Sequence, residues 1–272
     1  MVKTKQVITL VSLMLAGSLI FAGCSSQSEA KKLESSQEQK PQAPMALENI
    51  RTDLEIIISA TANKLNPTNM SSLQQSAQVE PSPDQEEGTA ENQTDSNKQD
   101  TSTTWQQEET ALRKIHQNWN MLEPEAIKAN ISEQSRTDFE MALNDLTVNI
   151  GQQMTEDSFF AAINLYRYYA DLTEVFTMPI PPEFFRVKYQ VMTAAAEAGR
   201  NNWETADEHI IQLQENWDNL QVQAKKADEK ITNRSKLSIN DLQNAIKSRQ
   251  LDLVMVKSEV IMKNLQNLED KF

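Results

Sequence analysis

Apolar side chains occupy every first and fourth position of three consecutive heptads between Trp203 and Ala224. This spacing places them on one narrow face of a helix, where they pack against neighbouring helices. We call this stripe the seam. Its members are Trp203, Ala206, Ile210, Leu213, Trp217, Leu220 and Ala224.

The same register occurs 98 residues earlier in the chain. The upstream series is Trp105, Glu108, Leu112, Ile115, Trp119, Leu122 and Ala126, and only Glu108 departs from the apolar pattern. With a shift of 96 residues the match continues from Leu143, Leu146, Ile150, Leu165, Tyr169, Leu172 and Phe176 to Ile239, Leu242, Ile246, Ile261, Leu265, Leu268 and Phe272. The pattern therefore predicts a duplicated helical unit. The two copies align with one two-residue gap, where the shift changes from 98 to 96 residues.

A further heptad series, Leu47, Ile50, Leu54, Ile57 and Thr61, predicts a first helix over 45–65, before Pro67. The helix that begins near Phe184 is its candidate counterpart in the second copy. Thr104 with Gln107 predicts a capping box, and Ser132 predicts another helix start. Pro124 is expected to end the first Trp-containing helix or to start a short successor.

Only five glycines in 272 residues also favour helices over sheet-rich folds. The predicted fold class is all-α, with about eight helices in two duplicated antiparallel helical-hairpin units. One elongated bundle, two four-helix bundles and a short helical-repeat stack all fit this pattern.

The N-terminus has the features of an export signal. Lys3 and Lys5 precede an apolar stretch that ends at Phe21-Ala22-Gly23-Cys24. This ending resembles the lipobox of bacterial lipoprotein precursors, although Phe21 stands where that family usually has Leu. The resemblance implies that residues 1–23 are removed and that a lipid is attached to Cys24, the sole cysteine of the chain. As a whole, the chain weakly resembles uncharacterised all-helical lipoproteins of Gram-positive, spore-forming bacteria.

Two polar tracts separate these parts. Residues 24–44 are predicted to be the lipidated Cys and a flexible tether, and residues 66–103 a disordered acidic insertion rich in Ser, Gln and Asn. Residues 104–180 and 181–272 are then the two helical repeats. Loss of Lys3 and Lys5 leaves 24 basic against 39 acidic side chains, a net charge of −15. This charge argues against a nucleic-acid partner.

Candidate chemistry is sparse. Neither His116 nor His209 has a carboxylate three or four residues away, so both are predicted to be solvated and neither to bind metal. No phosphate-binding, nucleophile-elbow or zinc motif occurs, and no catalytic residue or cofactor is predicted. The four tryptophans are predicted to be core, with a sugar-stacking platform as the alternative, and Tyr168 is expected at the surface.

These patterns predict a lipoprotein attached to the extracytoplasmic face of the cell membrane through Cys24. Its predicted role is a non-catalytic binding or scaffold module with an envelope protein as partner. The alternative is an envelope metal-binding or cell-wall-active helical-bundle protein.

Overall fold

The computed structural model of the chain describes residues 40–65 and 104–272. Within these stretches the regular secondary structure is helical, apart from one isolated β-bridge between Gln42 and Thr177. They are α1 (Met45–Leu65), α2 (Gln106–Lys128), α3 (Glu133–Gly151), α4 (Thr155–Thr173), α5 (Pro182–Gly199), α6 (Trp203–Ala227), α7 (Glu229–Lys247) and α8 (Leu251–Glu269). The all-α prediction is confirmed. Cys24, most of the tether and the tract 66–103 lie outside the described residues.

The eight helices form two four-helix bundles of the same connectivity. In the first bundle α1 packs against α2 and α4, and α3 packs against α4 and less extensively against α2. In the second, α5 packs against α6 and α8, and α7 packs against the same two helices. Contact between α4 and α5 joins the bundles. The buried side chains of both bundles belong to one hydrophobic core, which continues across the contact between α4 and α5.

The duplication includes the leading helices α1 and α5. A shift of 137 residues, which takes Thr61 to Ala198, matches five buried positions of each helix. They are Leu47, Ile50, Leu54, Ile57 and Thr61 in α1, and Phe184, Val187, Val191, Ala194 and Ala198 in α5.

A pair of polar contacts supports this register independently. Lys114 Nζ lies 3.7 Å from Asp53 Oδ1, and Gln190 Nε2 donates to Gln212 Oε1 at 2.9 Å. Asp53 and Gln190 differ by 137 residues, and Lys114 and Gln212 by 98. The two copies therefore join their first and second helices through equivalent positions.

The two-residue gap lies in the turn between α2 and α3. Ser132 caps α3 by accepting from the Ser135 N–H at 2.9 Å, and Asp228 caps α7 by accepting from the Ile231 N–H at 2.8 Å. These caps differ by 96 residues, whereas Ala129 and Ala227, at the preceding helix ends, differ by 98. Asn130 and Ile131 thus have no counterpart in the second copy. The cap predicted at Ser132 is confirmed.

Two predicted helix boundaries are wrong. Trp105, not Thr104, precedes the first turn of α2, and its side chain makes no capping hydrogen bond. Pro124 lies inside α2, which continues to Lys128. Proline removes one backbone hydrogen bond, but Leu122 and Ala126 on either side of it are fully buried. Their packing keeps the chain helical through the proline.

The seam forms the core of each bundle. All seam positions of α6 from Ala206 to Ala224 are buried, and so are those of α2, including Glu108. Trp105, Trp119 and Trp217 are 7%, 6% and 2% exposed, whereas Trp203 is half-buried. The Trp119 ring lies 4.4 Å from that of Phe139. These tryptophans stabilise the bundles from inside.

Candidate functional site

A polar groove runs along the surface where the two bundles meet. It consists of two cavities of about 610 Å³ each, which share Tyr189 of α5 and His209 of α6. One is further lined by Asp145, Asn149, Met154, Asp157, Phe160, Ala161, Ile163, Asn164, Thr193, Glu197 and Arg200, and the other by Arg167, Asp171, Arg186, Gln190, Gln212, Glu215 and Asn216. We call this depression the α4–α6 groove.

His209 is at the centre of the groove and is held by neighbouring side chains. Gln190 donates through Nε2 to Gln212, so its Oε1 accepts a hydrogen bond from His209 Nδ1 at 2.7 Å. The Tyr189 ring meets the imidazole edge-on at 6.0 Å. Burial lowers the pKa of His209, although Glu197 and Glu208 oppose this effect. The ring is therefore neutral at physiological pH, and its Nε2 atom is a hydrogen-bond acceptor.

The arginines beside the groove are fixed by protein partners. Arg186 bonds Asp171 at 3.0 Å and also pairs with Glu174, and these carboxylates raise its pKa although burial lowers it. Arg200 Nε lies 2.6 Å from Glu156 Oε1, and its guanidinium carbon is 3.3 Å from the Phe160 ring centroid. The groove thus has preorganised walls with hydrogen-bonding groups and aromatic rings. Such a surface suits binding of a polar partner.

The internal repeat provides a comparison for this surface. The positions equivalent to the groove's polar and aromatic residues carry different side chains in the other copy. His209 corresponds to Ala111, Tyr189 to Thr52, Asp157 to Leu253, Phe160 to Val256, and Asn164 to Val260. Duplication does not explain the polar lining, because these equivalent positions, which lie on α1, α2 and α8, carry mostly apolar side chains.

Behind the groove, an ionic cluster links helices of both bundles. Lys188 Nζ of α5 lies 2.6 Å from Glu55 Oε1 of α1, and Tyr166 donates its hydroxyl to the same oxygen at 3.1 Å. Arg51 Nη1 of α1 lies 2.8 Å from Glu269 Oε1 of α8. We call Glu48, Arg51, Glu55, Tyr166, Tyr169, Lys188 and Glu269 the central cluster.

The carboxylates of the central cluster differ in proton affinity. Burial raises the pKa of Glu55, but Lys188 and Arg51 outweigh burial and hold it below the ordinary value. Burial also raises the pKa of Glu269, and there the two cations compensate only in part. Arg51 and Lys188 occupy equivalent positions, 137 residues apart, whereas Glu55 and Glu269 correspond to Met192 and Thr173. Both copies therefore have a cation at this position, whereas neither Glu55 nor Glu269 has an acidic counterpart in the other copy.

A second buried ion pair closes the connection between α1 and α2. Glu108, the polar departure from the seam, has no exposed surface and pairs with Lys64. The Lys64 ammonium also lies 4.7 Å from the Trp105 ring centroid. This contact joins the end of α1 to the start of α2.

The structure corrects the prediction that both histidines are solvated. His116 is half-buried on α2, where its Nε2 lies 2.8 Å from Thr147 Oγ1, and burial lowers its pKa. Thr147 donates to the Leu143 carbonyl, so His116 is the donor. Tyr168, expected at the surface, is half-buried, with Arg167 5.4 Å from its ring.

Sequence reasoning missed Gln190 and the central cluster. One signal was available in the sequence: Arg51 lies beside the apolar positions Ile50 and Leu54 of the same predicted helix. A charged residue in such a place indicates a buried ion pair. Its partner was not visible, because Glu269 lies at the far end of the sequence.

Residues 40–65 and 104–272 provide neither a candidate metal site nor a candidate membrane span. No group of three or more His, Cys, Asp or Glu side chains there is arranged to hold a metal ion. None of the helices in the described stretches has the length and apolar character needed to cross a bilayer.

Comparison with protein-family models, curated proteins and solved structures finds no match to this chain.

Proposed function

We propose that the protein is a membrane-anchored extracytoplasmic lipoprotein that acts as a non-catalytic binding module, with the α4–α6 groove as its binding surface. The lipobox-like ending at Cys24 supports the anchor. The observation that carries the binding role is the difference between the groove and the equivalent positions of the repeat, where Leu253, Val256 and Val260 stand in place of Asp157, Phe160 and Asn164.

The chemistry of the groove suits recognition of a polar envelope partner. Neutral His209 offers one acceptor, while the half-buried Tyr189 and Asn164 add ring surface and an amide. Because Gln190 and Gln212 hold the imidazole, little ordering is needed on binding. The partner is an envelope protein that reaches the groove at the membrane surface.

Photo-crosslinking in intact cells tests the binding surface. Glu215 lies in the groove, and the exposed Gln117 occupies the equivalent position of the other copy, so a photoreactive amino acid at each makes a matched pair. We expect a discrete adduct from position 215, lost with His209→Ala and Tyr189→Ala, and none from position 117. Equal adduct patterns at both positions would refute the groove as the binding surface.

Fractionation tests the anchor separately. Cys24→Ser should leave the precursor unprocessed or release the protein from washed membranes, because a lipid is attached through the thiol. A variant that stays in the membrane with the mature mass would contradict lipidation at Cys24, without bearing on the groove.

A further inference from the structure

The last two helices are the basic part of an acidic chain. Residues 229–272 contain eight Lys or Arg against six Asp or Glu, whereas residues 1–228 contain 18 against 33. Charge asymmetry of this kind is typical of chains in which one part meets an anionic surface.

α7 and α8 lie antiparallel, and two side-chain contacts fix their register. Asn264 Nδ2 donates to Ser238 Oγ at 3.1 Å, and Lys257 Nζ lies 2.8 Å from Asp241 Oδ2. A step back along α7 is therefore a step forward along α8. The end of α8 lies beside the beginning of α7.

Apolar side chains follow one exposed face of this pair of helices. Leu253, Val256 and Val260 of α8 recur at a helical spacing and are 43%, 54% and 44% exposed. Leu237 of α7 is 66% exposed, and the hydrogen bond from α8 to the residue after it places it beside the later part of this row. A continuous row of exposed apolar side chains marks a binding surface, whereas single ones need no partner.

Four basic side chains extend this row towards the end of α8. Lys230 and Arg234 precede Leu237 on the same face of α7, by seven and three residues. Lys263 continues the row of α8, and Lys271 follows the last turn of that helix. All four are exposed, and none forms an ion pair with another residue of the described stretches. We call these four basic and four apolar residues the α7–α8 face.

Duplication does not account for the α7–α8 face. At the shift of 96 residues, Lys230 and Arg234 correspond to Gln134 and Asp138 of α3. The charge is thus lost at the first position and reversed at the second. The basic character of this face belongs to the second copy.

The chain enters the fold near the basic end of the α7–α8 face. Pro41 accepts from the Thr177 N–H at 2.7 Å, in the connection between α4 and α5. Phe184, near the start of α5, has its ring 6.1 Å from that of Phe272, which follows Lys271. The segment before residue 40 is therefore joined to the helices at the end of the molecule where the basic residues lie.

The chemistry of the face fits an anionic bilayer. Lys and Arg beside an apolar row are typical of helices that lie in the interface of an anionic membrane, whereas lysine is depleted at protein interfaces. The excess of acid elsewhere in the chain does not prevent this contact, because exposed charges are largely screened beyond about 8 Å in physiological salt.

We propose that the α7–α8 face docks on the anionic surface of the membrane. Its Lys and Arg side chains contact lipid phosphates, and Leu253, Val256 and Val260 enter the headgroup region. A lipid on Cys24 holds the chain near the membrane without orienting the helices, and the α7–α8 face orients them. The proposal takes from the proposed function only the nearness of a membrane, and it does not involve the α4–α6 groove.

Tryptophan fluorescence of the full chain on vesicles tests the proposal. The indole introduced by Val256→Trp reports contact with lipid, and Val148→Trp on α3 is the matched control, because the two valines are 54% and 53% exposed. The vesicles contain phosphatidylcholine and phosphatidylglycerol with brominated acyl chains, which quench an indole in the membrane interface. After subtraction of the wild-type signal, we expect quenching at position 256 and none at position 148.

Two comparisons test the role of charge in this contact. In vesicles of phosphatidylcholine alone, the quenching at position 256 should fall. Arg234→Gln/Lys263→Gln should lower the ratio of docked to undocked protein about 25-fold, because each basic residue at an anionic surface contributes about fivefold. Arg113→Gln/Lys128→Gln, which removes two exposed basic residues of α2, should leave this ratio unchanged.

Equal quenching at positions 256 and 148, or equal quenching at position 256 with and without phosphatidylglycerol, would overturn the proposal. Absence of quenching at both positions would also overturn it and would assign the face to a protein partner. Leu253→Trp, on the same face, provides the same measurement if Val256→Trp does not fold. Flotation of the vesicles measures the anchor separately, since Cys24→Ser should lower flotation without changing which position is quenched in the bound fraction.

Discussion

Removal of one partner of the Lys64–Glu108 pair is the most informative perturbation of the fold. Glu108 has no exposed surface and the Lys64 side chain is 9% exposed, so neither charge can recover its hydration when the other is lost. Breaking a buried ion pair in this way typically costs about 3–5 kcal/mol. Glu108→Ala should therefore remove a large part of the stability of a domain that has about 5–15 kcal/mol in total.

Replacement of both partners should behave differently. The double variant Lys64→Met/Glu108→Leu leaves no unpaired charge and adds apolar surface to the seam, so its stability should be within about 1 kcal/mol of the wild type or higher. The second copy is a natural precedent. There the position of Glu108 is held by the fully buried Ala206 and the position of Lys64 by Asn201.

A double-mutant cycle by urea unfolding measures the coupling directly. The exposed pair Lys128–Glu125, 2.8 Å apart within α2, is the control, and its single variants should each change stability by less than about 1 kcal/mol. Single variants of Lys64 and Glu108 as mild as those of the exposed pair would refute the reasoning. They would mean that water reaches Glu108 despite its burial.

Three further predictions concern packing and helix ends. Trp217→Ala should cost about 3–5 kcal/mol by leaving a cavity in the seam, and the fluorescence that it removes should be blue-shifted; an exposed-indole spectrum would contradict burial. Arg249→Gly should stabilise the protein by about 1 kcal/mol, because Arg249 has φ 52° in the turn after α7 and glycine adopts this conformation without steric cost. Thermal or urea unfolding measures the change, and an unchanged midpoint would show that the backbone is not strained at Arg249. Ser132→Ala should destabilise by about 1 kcal/mol through loss of the α3 cap, whereas the exposed neighbour Glu133→Ala should have less effect in the same assay.

Much of the fold was predictable from local periodicity. A seam residue such as Leu213 lies on the buried face of its helix because a heptad spacing returns side chains to the same side, whatever the helix packs against. The duplication could be recognised for the same reason, since both copies bury equivalent positions. Pro124 was misjudged because its local cost is visible in the sequence, whereas the burial of Leu122 and Ala126 depends on the whole bundle.

The candidate site was largely not predictable. His209 was recognised as a rare titratable group, but its contact with Gln190 depends on the packing of α5 against α6. Periodicity shows which face of a helix is buried, but it does not show which residues of another helix contact that face. The difference between the groove and its equivalent positions also became apparent only once buried residues and polar contacts fixed the register of α1 against α5.

By itself, the sequence determined the helices, their buried faces and their duplication. The heptad spacing of apolar residues shows which side of each helix is buried, and this spacing can be read from the sequence alone. The tertiary structure decided which charges meet. Arg51 and Glu269 are separated by most of the described chain, and they pair at 2.8 Å only because α1 and α8 come together where the bundles join. The electrostatic energy of such a pair depends on distance and burial, which are properties of the assembled helices and not of any local pattern.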